Sequence, residues 1–252
     1  MTNIILCGCN GKMGQFIVKA IESREDTKVV CGVDSYNKQL NDFPVYKTFD
    51  EITENADAII DFSNPDALSG LLSFAVKNSV PAVICTTGLS NEQKQEIKKA
   101  SESVALFQSG NMSLGINLLI ELAKKAATVL NGFDIEIIEK HHNQKIDAPS
   151  GTALMIADEV STVLEKEPQY VYDRHSYRRK RSENEIGIHA VRGGTIVGEH
   201  DIIFAGHDEV VTISHQAQSK EVFAVGSVNA AVFLSNQKPG MYDMSDLLNT
   251  II

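Results

Sequence analysis

Cysteine and proline are scarce in this 252-residue sequence. The four cysteines, Cys7, Cys9, Cys31 and Cys85, all lie in the first third and are too few for a disulfide framework. Cys7 and Cys9 have the spacing of half a metal site, but the second pair that such a site needs is missing. We therefore expect reduced, structural thiols. Six prolines and 17 glycines also exclude a collagen-like or low-complexity chain.

Long apolar runs and an excess of basic residues are absent too. No run approaches the ~18 apolar residues that a membrane span needs. The first residues, Met1–Leu6, lack the basic and apolar regions of a signal peptide. Lys and Arg number 23 against 33 Asp and Glu, a net charge of −10, which argues against a nucleic-acid partner. We expect a cytoplasmic protein that binds neither nucleic acid nor membrane.

The residues that are present predict two kinds of domain. Hydrophobic residues make up 43% of the chain, enough for a sizeable core. Strand and helix patterns alternate over the first ~110 residues, which predicts a parallel sheet covered on both faces. The predicted strands are Asn3–Cys7, Lys28–Val33, Ala56–Phe62, Val80–Cys85 and Val104–Phe107.

The pattern changes after Ser113. A half-buried strand is predicted at Phe133–Lys140, and the strand runs of 186–216 break at 192–194 and 205–208, which is typical of antiparallel hairpins. The expected fold is α/β: a Rossmann-like parallel-sheet domain plus an α+β domain with a mixed, largely antiparallel sheet. Before that strand comes a long helix whose predicted buried stripe is Leu114, Leu118, Leu119, Leu122, Ala126, Val129 and Leu130.

One dense charge run, Tyr177–Arg181, admits two interpretations. It could contact phosphate or nucleic acid, or it could be a solvated loop flanked by Glu183 and Glu185. The acidity of the whole chain favours the solvated loop.

A glycine-rich turn lies directly between the first strand and the first helix. Glycines there permit a tight turn and close approach of a pyrophosphate, which would rest on the amides of the helix N-terminus. The spacing is G-x-x-G-x-x-G, because Asn10 stands at the usual middle glycine. The candidate cofactor-binding residues of this turn are Gly8, Cys9, Asn10, Gly11, Lys12 and Met13.

Asp34 strengthens the prediction of a dinucleotide site. It ends the second strand, 20 residues beyond Gly14, where an acidic residue commonly binds the adenosine ribose hydroxyls. The residues that follow it, 35–37, include no arginine, so NADH is favoured, while Lys12 and Lys38 leave dual use with NADPH open. The loops after the fourth and fifth strands add the candidates Cys85, Thr86, Thr87, Ser109, Gly110, Asn111 and Met112.

The densest polar segment runs from Glu139 to Ala153. His141 and Lys145 could supply protons or positive charge. Ser150 is the expected N-cap of a helix whose first residues, Gly151 and Thr152, offer amides and a hydroxyl to a carboxylate. A metal site with His141, His142 and Asp147 is the competing interpretation, although no HxxH or cysteine partner accompanies them.

The same segment resembles the signature E-x-H-H-x-x-K-x-D-A-P-S-G-T-A of the 4-hydroxy-tetrahydrodipicolinate (dihydrodipicolinate) reductase family and matches every fixed position. The Gly8–Gly14 turn, the stretch from Arg192 to His200 and the segment Tyr242–Met244 also resemble the family. The similarity spans nearly the whole chain. Cys85 and Met112 depart from it, standing where the family has glycine and phenylalanine.

The resemblance implies reduction of a cyclic dicarboxylate imine precursor by NADH or NADPH in the lysine and diaminopimelate pathway. It implies His141 as proton donor, Lys145 as second donor and charge stabiliser, and His142, Gly151 and Thr152 as substrate binders. It also implies a homotetramer. The chain would run from a dinucleotide-binding domain (1–112) through a substrate-binding and tetramerisation domain (113–220) and back (221–252).

Two other functions stay open on the residues alone. One is a different nicotinamide oxidoreductase, such as an amino-acid or semialdehyde dehydrogenase of similar plan. The other is a non-catalytic dinucleotide sensor that regulates a partner. The His141–Thr152 signature argues against the first, and the acid groups beside an anion-binding helix start argue against the second.

Overall fold

A computed structural model describes residues 1–36 and 38–250. Asn37, which belongs to the stretch predicted to lack an arginine, lies outside the described residues. The chain forms two compact units. The first contains Met1–Leu114 and the segment that starts at Lys220, and the second contains Gly115–Ser219.

The first unit is built on a parallel sheet of seven strands in the order β12-β6-β5-β4-β1-β2-β3. Consecutive residues of one interior strand, such as Ile4, Ile5 and Leu6, are fully buried because both faces of the sheet are covered. Its strands are β1 (Thr2–Cys7), β2 (Thr27–Val33), β3 (Val45–Tyr46), β4 (Ala58–Asp61), β5 (Ala82–Ile84), β6 (Ala105–Gln108) and β12 (Gly240–Tyr242). Its helices are α1 (Lys12–Glu22), α2 (Leu68–Asn78), α3 (Asn91–Ala100), α6 (Glu221–Leu234) and α7 (Met244–Asn249).

The strand order reverses at β1. The chain runs outward from β1 to β2 and β3 and then returns to place β4, β5 and β6 on the other side. All these pairings are parallel, so the loops that follow β1, β2, β4, β5 and β6 meet at one edge of the sheet. In sheets of this type ligands bind at that edge, at the point of reversal.

The second unit is a five-stranded mixed sheet in the order β11-β10-β7-β9-β8. Residues Ile135, Ile137, Ile186, Ile202 and Phe204 form a core with the two helices, which pack on the same face. The strands are β7 (Asp134–His141), β8 (Gln169–Val171), β9 (Glu185–Arg192), β10 (Gly198–Ala205) and β11 (Val210–Ala217), and the helices are α4 (Leu114–Val129) and α5 (Gly151–Ser161). The predicted combination of a Rossmann-like domain and a mixed-sheet domain is confirmed.

One of the two predicted hairpins is wrong. β10 and β11 do form an antiparallel hairpin across the turn at 206–209. β9 and β10 are not neighbours, because β7 lies between them, parallel to β9 and antiparallel to β10. Two of the four strand pairings in this sheet are therefore antiparallel and two are parallel. The turn after β9 instead bonds to the polar segment, with the Gly193 amide donating to His141 O at 2.9 Å and the Asn143 amide to Gly194 O at 3.2 Å.

The predicted buried stripe of α4 is also partly wrong. Leu118, Leu122 and Val129 are exposed, while Leu119 is buried as expected. The face that enters the core also carries Ile116, Ile120, Ala123 and Ala127. Leucines occur on both faces of this helix, so their spacing alone does not identify the face that packs against the sheet.

The predicted solvated loop at 177–181 makes more contacts than expected. Arg181 lies 2.9 Å from Asp134 and 3.1 Å from Glu136, and Arg179 lies 3.0 Å from the buried Glu185. The charge run is thus held by ion pairs to the first residues of β7 and β9.

No helix within residues 1–36 and 38–250 is both long and apolar enough to cross a membrane. In the same part of the chain, no three His, Cys, Asp or Glu side chains are grouped so that they could hold a metal ion.

Candidate active site

The glycine turn after β1 is shaped by two close approaches of the backbone. Gly8 has a φ of +78°, and a Cβ there would lie 2.5 Å from Phe62 O. A Cβ on Gly14 would lie 2.3 Å from Gly8 O, so α1 can pack against the turn only with glycine at this position. Gly11 is exposed and precedes the helix.

This turn fits a dinucleotide pyrophosphate. Helix α1 begins after Gly11 with no side-chain cap on its first amides, so these donors and the positive end of the helix face the exposed part of the turn. The Asn10 side chain donates to Tyr36 O and, at 2.8 Å, to Lys38 O. The residue that replaces the middle glycine thus ties the turn to the loop after β2.

Asp34 directly follows β2 and lies beside this turn. Its carboxylate accepts the amide of Asn10 at 3.0 Å and that of Tyr36 at 2.9 Å. These bonds hold the half-buried carboxylate at the edge of the turn, where a ribose hydroxyl could donate to its remaining lone pairs.

The other candidate cofactor residues are brought to the same edge of the sheet but differ in exposure. The side chains of Cys9 and Met112 are inside the core, at 0% and 4% exposure, so only their backbone could face a ligand. Burial, with the nearby Asp34 charge, raises the pKa of the Cys9 thiol to about 12. Lys12, Thr87 and Gly110 are exposed, Met13, Cys85 and Ser109 are half-buried, and Thr86 and Asn111 are buried.

In the second unit, the polar segment is organised around a buried carboxylate, that of Glu139. One of its oxygens lies 2.6 Å from His141 Nδ1 and 2.8 Å from Arg192 Nη1. The other accepts from Arg192 Nη2 at 2.8 Å and from the Ser150 amide at 3.0 Å. Burial alone would raise the pKa of Glu139, but hydrogen bonds from Arg192, His141 and Ser150 outweigh it and lower that pKa.

Lys145 and the start of α5 share one acidic partner. Lys145 Nζ lies 2.8 Å from Asp147 Oδ1, and the Lys145 side chain is 21% exposed. Hydrogen bonds from Lys145 and from the Gly151 amide lower the pKa of the exposed Asp147. A carboxylate of this chain therefore already occupies the two groups predicted to bind a carboxylate of the ligand.

Ser150 caps α5 as predicted, since its Oγ accepts the Ala153 amide at 3.1 Å. Its Oγ is also 3.2 Å from Nε2 of His200, whose ring meets that of His141 edge to face at 5.4 Å between centroids. Burial, reinforced by the neighbouring His141, lowers the pKa of His200 to about 4. The buried His200 is therefore neutral near pH 7. His142 is half-buried, and its carbonyl accepts the Lys145 amide at 3.1 Å.

The positions of Glu139, Arg192 and His200 were missed as parts of this site. One signal for Glu139 was present in the sequence. Polar and apolar residues alternate from Asp134 to Ile137, but Ile138 breaks the alternation and places Glu139 on the buried face. A glutamate on the core face of a strand needs buried partners.

The chain matches two family sequence models. Residues 2–112 match "Dihydrodipicolinate reductase, N-terminus", and residues 115–248 match "Dihydrodipicolinate reductase, C-terminus".

Curated relatives cover nearly the whole chain. A 4-hydroxy-tetrahydrodipicolinate reductase of Caldanaerobacter subterraneus subsp. tengcongensis is 56% identical over 98% of both chains. One of Clostridium novyi is 44% identical over 99% of both. Among solved structures, the dipicolinate-bound dihydrodipicolinate reductase of Paenisporosarcina sp. TG-14 is similar with a TM-score of 0.81 and 26% identity. The match covers 96% of this chain and 97% of that one.

A Rossmann-like unit joined to a mixed-sheet unit, in a chain with these relatives, defines a pyridine-nucleotide-dependent oxidoreductase. Within that class, the chain belongs to the dihydrodipicolinate reductase family.

Proposed function

We propose that this protein reduces a dihydrodipicolinate-type cyclic imine that carries two carboxylates. The segment that holds His141, Lys145 and the start of α5 around the Glu139 carboxylate supports this proposal most directly. The similar reductase of Paenisporosarcina sp. TG-14 is bound to dipicolinate, which supports the dicarboxylate class of ligand.

Lys145 and the α5 N-terminus bind the substrate carboxylates in this proposal. Both groups are engaged by Asp147, an exposed residue whose side chain can rotate away. A substrate carboxylate would replace Asp147 and keep the charge balance of the cluster. Gly151 and Thr152 contribute amides and a hydroxyl, and His142 borders the substrate.

His141 is the proposed proton donor. When bound, the cofactor supplies a hydride to the substrate, and electron density then grows on the conjugated imine. An acid must neutralise that density, which an imidazolium can do near neutral pH. Lys145 is the second donor and offsets the charge on the substrate.

The first unit is the proposed cofactor domain. The amides at the start of α1 hold the pyrophosphate, and Asp34 accepts from the ribose hydroxyls. The remaining proposed contacts come from Gly8, Cys9, Asn10, Gly11, Lys12, Met13, Cys85, Thr86, Thr87, Ser109, Gly110, Asn111 and Met112, with Cys9 and Met112 acting through their backbone.

We predict that NADH binds at least as tightly as NADPH. The carboxylate of Asp34 would repel a 2′-phosphate, and the nearby exposed Lys38 lies over the Tyr36 ring, 5.1 Å from its centroid. Calorimetric titration with both cofactors measures the preference. NADPH binding tenfold tighter, about 1.4 kcal/mol, would contradict this assignment.

We also propose a homotetramer assembled through the second unit. Its helices pack on one sheet face. The other face carries the exposed Val191 next to Lys140, which pairs with Glu199 and Asp201, and the exposed Val210 at the far end of the sheet. Light scattering in solution should give about four times the 27.6 kDa chain mass. A monomer at micromolar concentration would contradict the proposal.

The proposed activity is tested by following NADH absorbance while candidate substrate is generated enzymatically in the cuvette. Oxidation that depends on this substrate supports the proposal. Oxidation only with amino acids or semialdehydes would identify a different oxidoreductase. Cofactor binding without turnover on any of them would favour a dinucleotide sensor.

A further inference from the structure

Glu139 is a buried carboxylate with four hydrogen bonds, and the proposed function assigns it no role as an acid or a ligand. Its side chain is 0% exposed. It accepts four hydrogen bonds of 2.6–3.0 Å, two from Arg192, one from His141 and one from the Ser150 amide. Charge-assisted bonds of this kind are short and directional, so the partners are held in fixed positions.

We propose that Glu139 is a positioning residue that fixes His141 as the Nδ1–H tautomer and anchors the start of α5 through the same carboxylate. An ionised carboxylate has no proton to donate, so the 2.6 Å contact requires the proton to be on Nδ1 of His141. The nitrogen left to exchange a proton is then Nε2. That His141 is the proton donor rests on the proposed function.

The surroundings of Nε2 agree with this assignment. The neighbouring strand has a glycine, Gly198, where a Cβ would lie only 3.2 Å from Nε2 of His141. Glycine at this position leaves the Nε2 edge of the ring clear, while the Nδ1 edge is closed by Glu139.

The second carboxylate oxygen carries the other half of the proposal. It accepts the amide of Ser150, the N-cap of α5, whose first amides are the proposed substrate-carboxylate site. Arg192 also donates to Asp147 O at 2.6 Å, in the loop between His141 and α5. One buried ion pair thereby sets the distance between the proton donor and the anion-binding helix start.

The proton balance follows from the tautomer. In the protonated ring both nitrogens carry hydrogen, and the Nε2 proton passes to the substrate as the hydride is delivered. The ring is left neutral with its hydrogen on Nδ1, still donated to Glu139, and Nε2 regains a proton from water. Glu139 stays ionised throughout.

The test uses solid-state NMR of the full chain carrying 15N-labelled histidine, with the His141 signals assigned by their loss in His141→Gln. We expect neutral His141 to be the Nδ1–H tautomer in the unsubstituted protein. In Glu139→Gln this preference should be lost, because an amide can either donate or accept. The kcat should fall at least about tenfold and by no more than the ~10²–10⁴ that a general acid contributes. The affinity for NADH should not change, because Glu139 lies in the second unit and the proposed cofactor site lies in the first.

Two further variants separate positioning from folding. Glu139→Gln/Arg192→Gln removes both charges and so leaves no unpaired buried charge, but it should remain slow because His141 still lacks its carboxylate. Glu136→Gln is the matched control, since Glu136 lies 2.7 Å from Nε2 of His189 and bonds two arginines on the other face of the same strand. It should leave the His141 tautomer and kcat unchanged.

A neutral His141 in the Nε2–H form, or a folded Glu139→Gln that keeps its kcat within about twofold, would overturn the proposal. The tautomer is read without substrate, so it is independent of the proposed function. If the tautomer depends on Glu139 but no substrate turns over, the positioning claim holds and the proposed function fails. If turnover is normal and the tautomer does not respond to Glu139, the positioning claim fails alone.

Discussion

In the proposed function, the ion pair of Lys145 and Asp147 prepares a site for an anion. The pair is 2.8 Å apart on a partly exposed surface, where ion pairs contribute little to stability. Asp147 therefore holds Lys145 in place at small energetic cost and can give way to a ligand carboxylate. Loss of this ion pair when a ligand binds should therefore change the stability of the fold very little.

We predict that Lys145→Ala lowers kcat by ~10²–10⁴, the range typical of a lost general acid. Its thermal stability should change within about 0.5 kcal/mol, as for other surface substitutions. Steady-state kinetics and a melting curve measure both quantities. Lys166→Ala, an exposed lysine of the same unit, is the control and should change neither. A folded Lys145→Ala with more than about half the original kcat would remove Lys145 from the mechanism.

For single residues, the sequence predicted which side chains belong to the candidate site better than it predicted their contacts. The motif marked His141 and Lys145, but nothing local indicated that Asp147 would engage Lys145 and the start of α5, the two groups proposed to bind an anion. Cys9 and Met112 lie at ligand-binding loops in sequence, and yet their side chains point into the core. Which way a loop side chain points depends on packing partners distant in sequence, and local patterns do not report these.

Helix α1 illustrates how a single element positions the proposed nucleotide site. It approaches the turn after β1 so closely that Gly14 lies against the carbonyls of Gly8 and Cys9. The position of its uncapped N-terminus beside the turn depends on that approach. A larger residue at position 14 would push the helix away from the turn.

We predict that Gly14→Ala destabilises the protein by about 1–3 kcal/mol, as overpacked cores do, and weakens NADH binding. The matched control is Gly70→Ala in α2, where the new Cβ would be 3.7 Å from the nearest ring atom. There the loss of glycine flexibility should stabilise the helix by about 0.5–1 kcal/mol. Denaturant unfolding compares the two variants, and equal effects would show that the close approach at Gly14 is not needed.

Elements with local signals were predictable, and their long-range pairing was not. The first strand, predicted at Asn3–Cys7, is observed at Thr2–Cys7. The break at 192–194 resembled a hairpin, but β7 occupies the position between β9 and β10. The short strands β3 and β12 carried too few residues to show a period and were missed.

On the scale of the whole molecule, buried titratable groups link stability to pH. His200 is buried as a neutral ring, and its pKa of about 4 lies below its ordinary value of 6.5. Between these values the unfolded chain binds a proton that the folded chain does not. The free energy of unfolding therefore falls as the pH drops from 6.5 towards 4. Burial lowers the pKa of His215 as well, with the same sign.

We predict that His200→Gln makes the protein lose less stability between pH 7 and pH 5 than the unsubstituted chain does. Denaturant midpoints at both pH values measure the difference. His207→Gln, an exposed histidine, serves as the control and should keep the original pH dependence. An unchanged dependence in His200→Gln would show that His200 is not the group responsible.

The two-unit organisation followed from a change in periodicity that extends over many residues. Strands alternating with helices gave the parallel unit, and the longer strand runs of the second half gave the mixed sheet. The Glu139–Arg192 pair was not predictable in this way, because 53 residues separate its members and only the parallel pairing of β7 with β9 brings them together.

The central claim is that a hydride passes from a nicotinamide cofactor to a cyclic dicarboxylate imine on this chain. Mass spectrometry of the product, formed with NADH that carries deuterium at both C4 positions, tests it most directly. We predict one deuterium atom per product molecule, fixed at carbon, and stoichiometric loss of NADH. A protein that binds NADH and the candidate substrate but yields no deuterated product would contradict the claim.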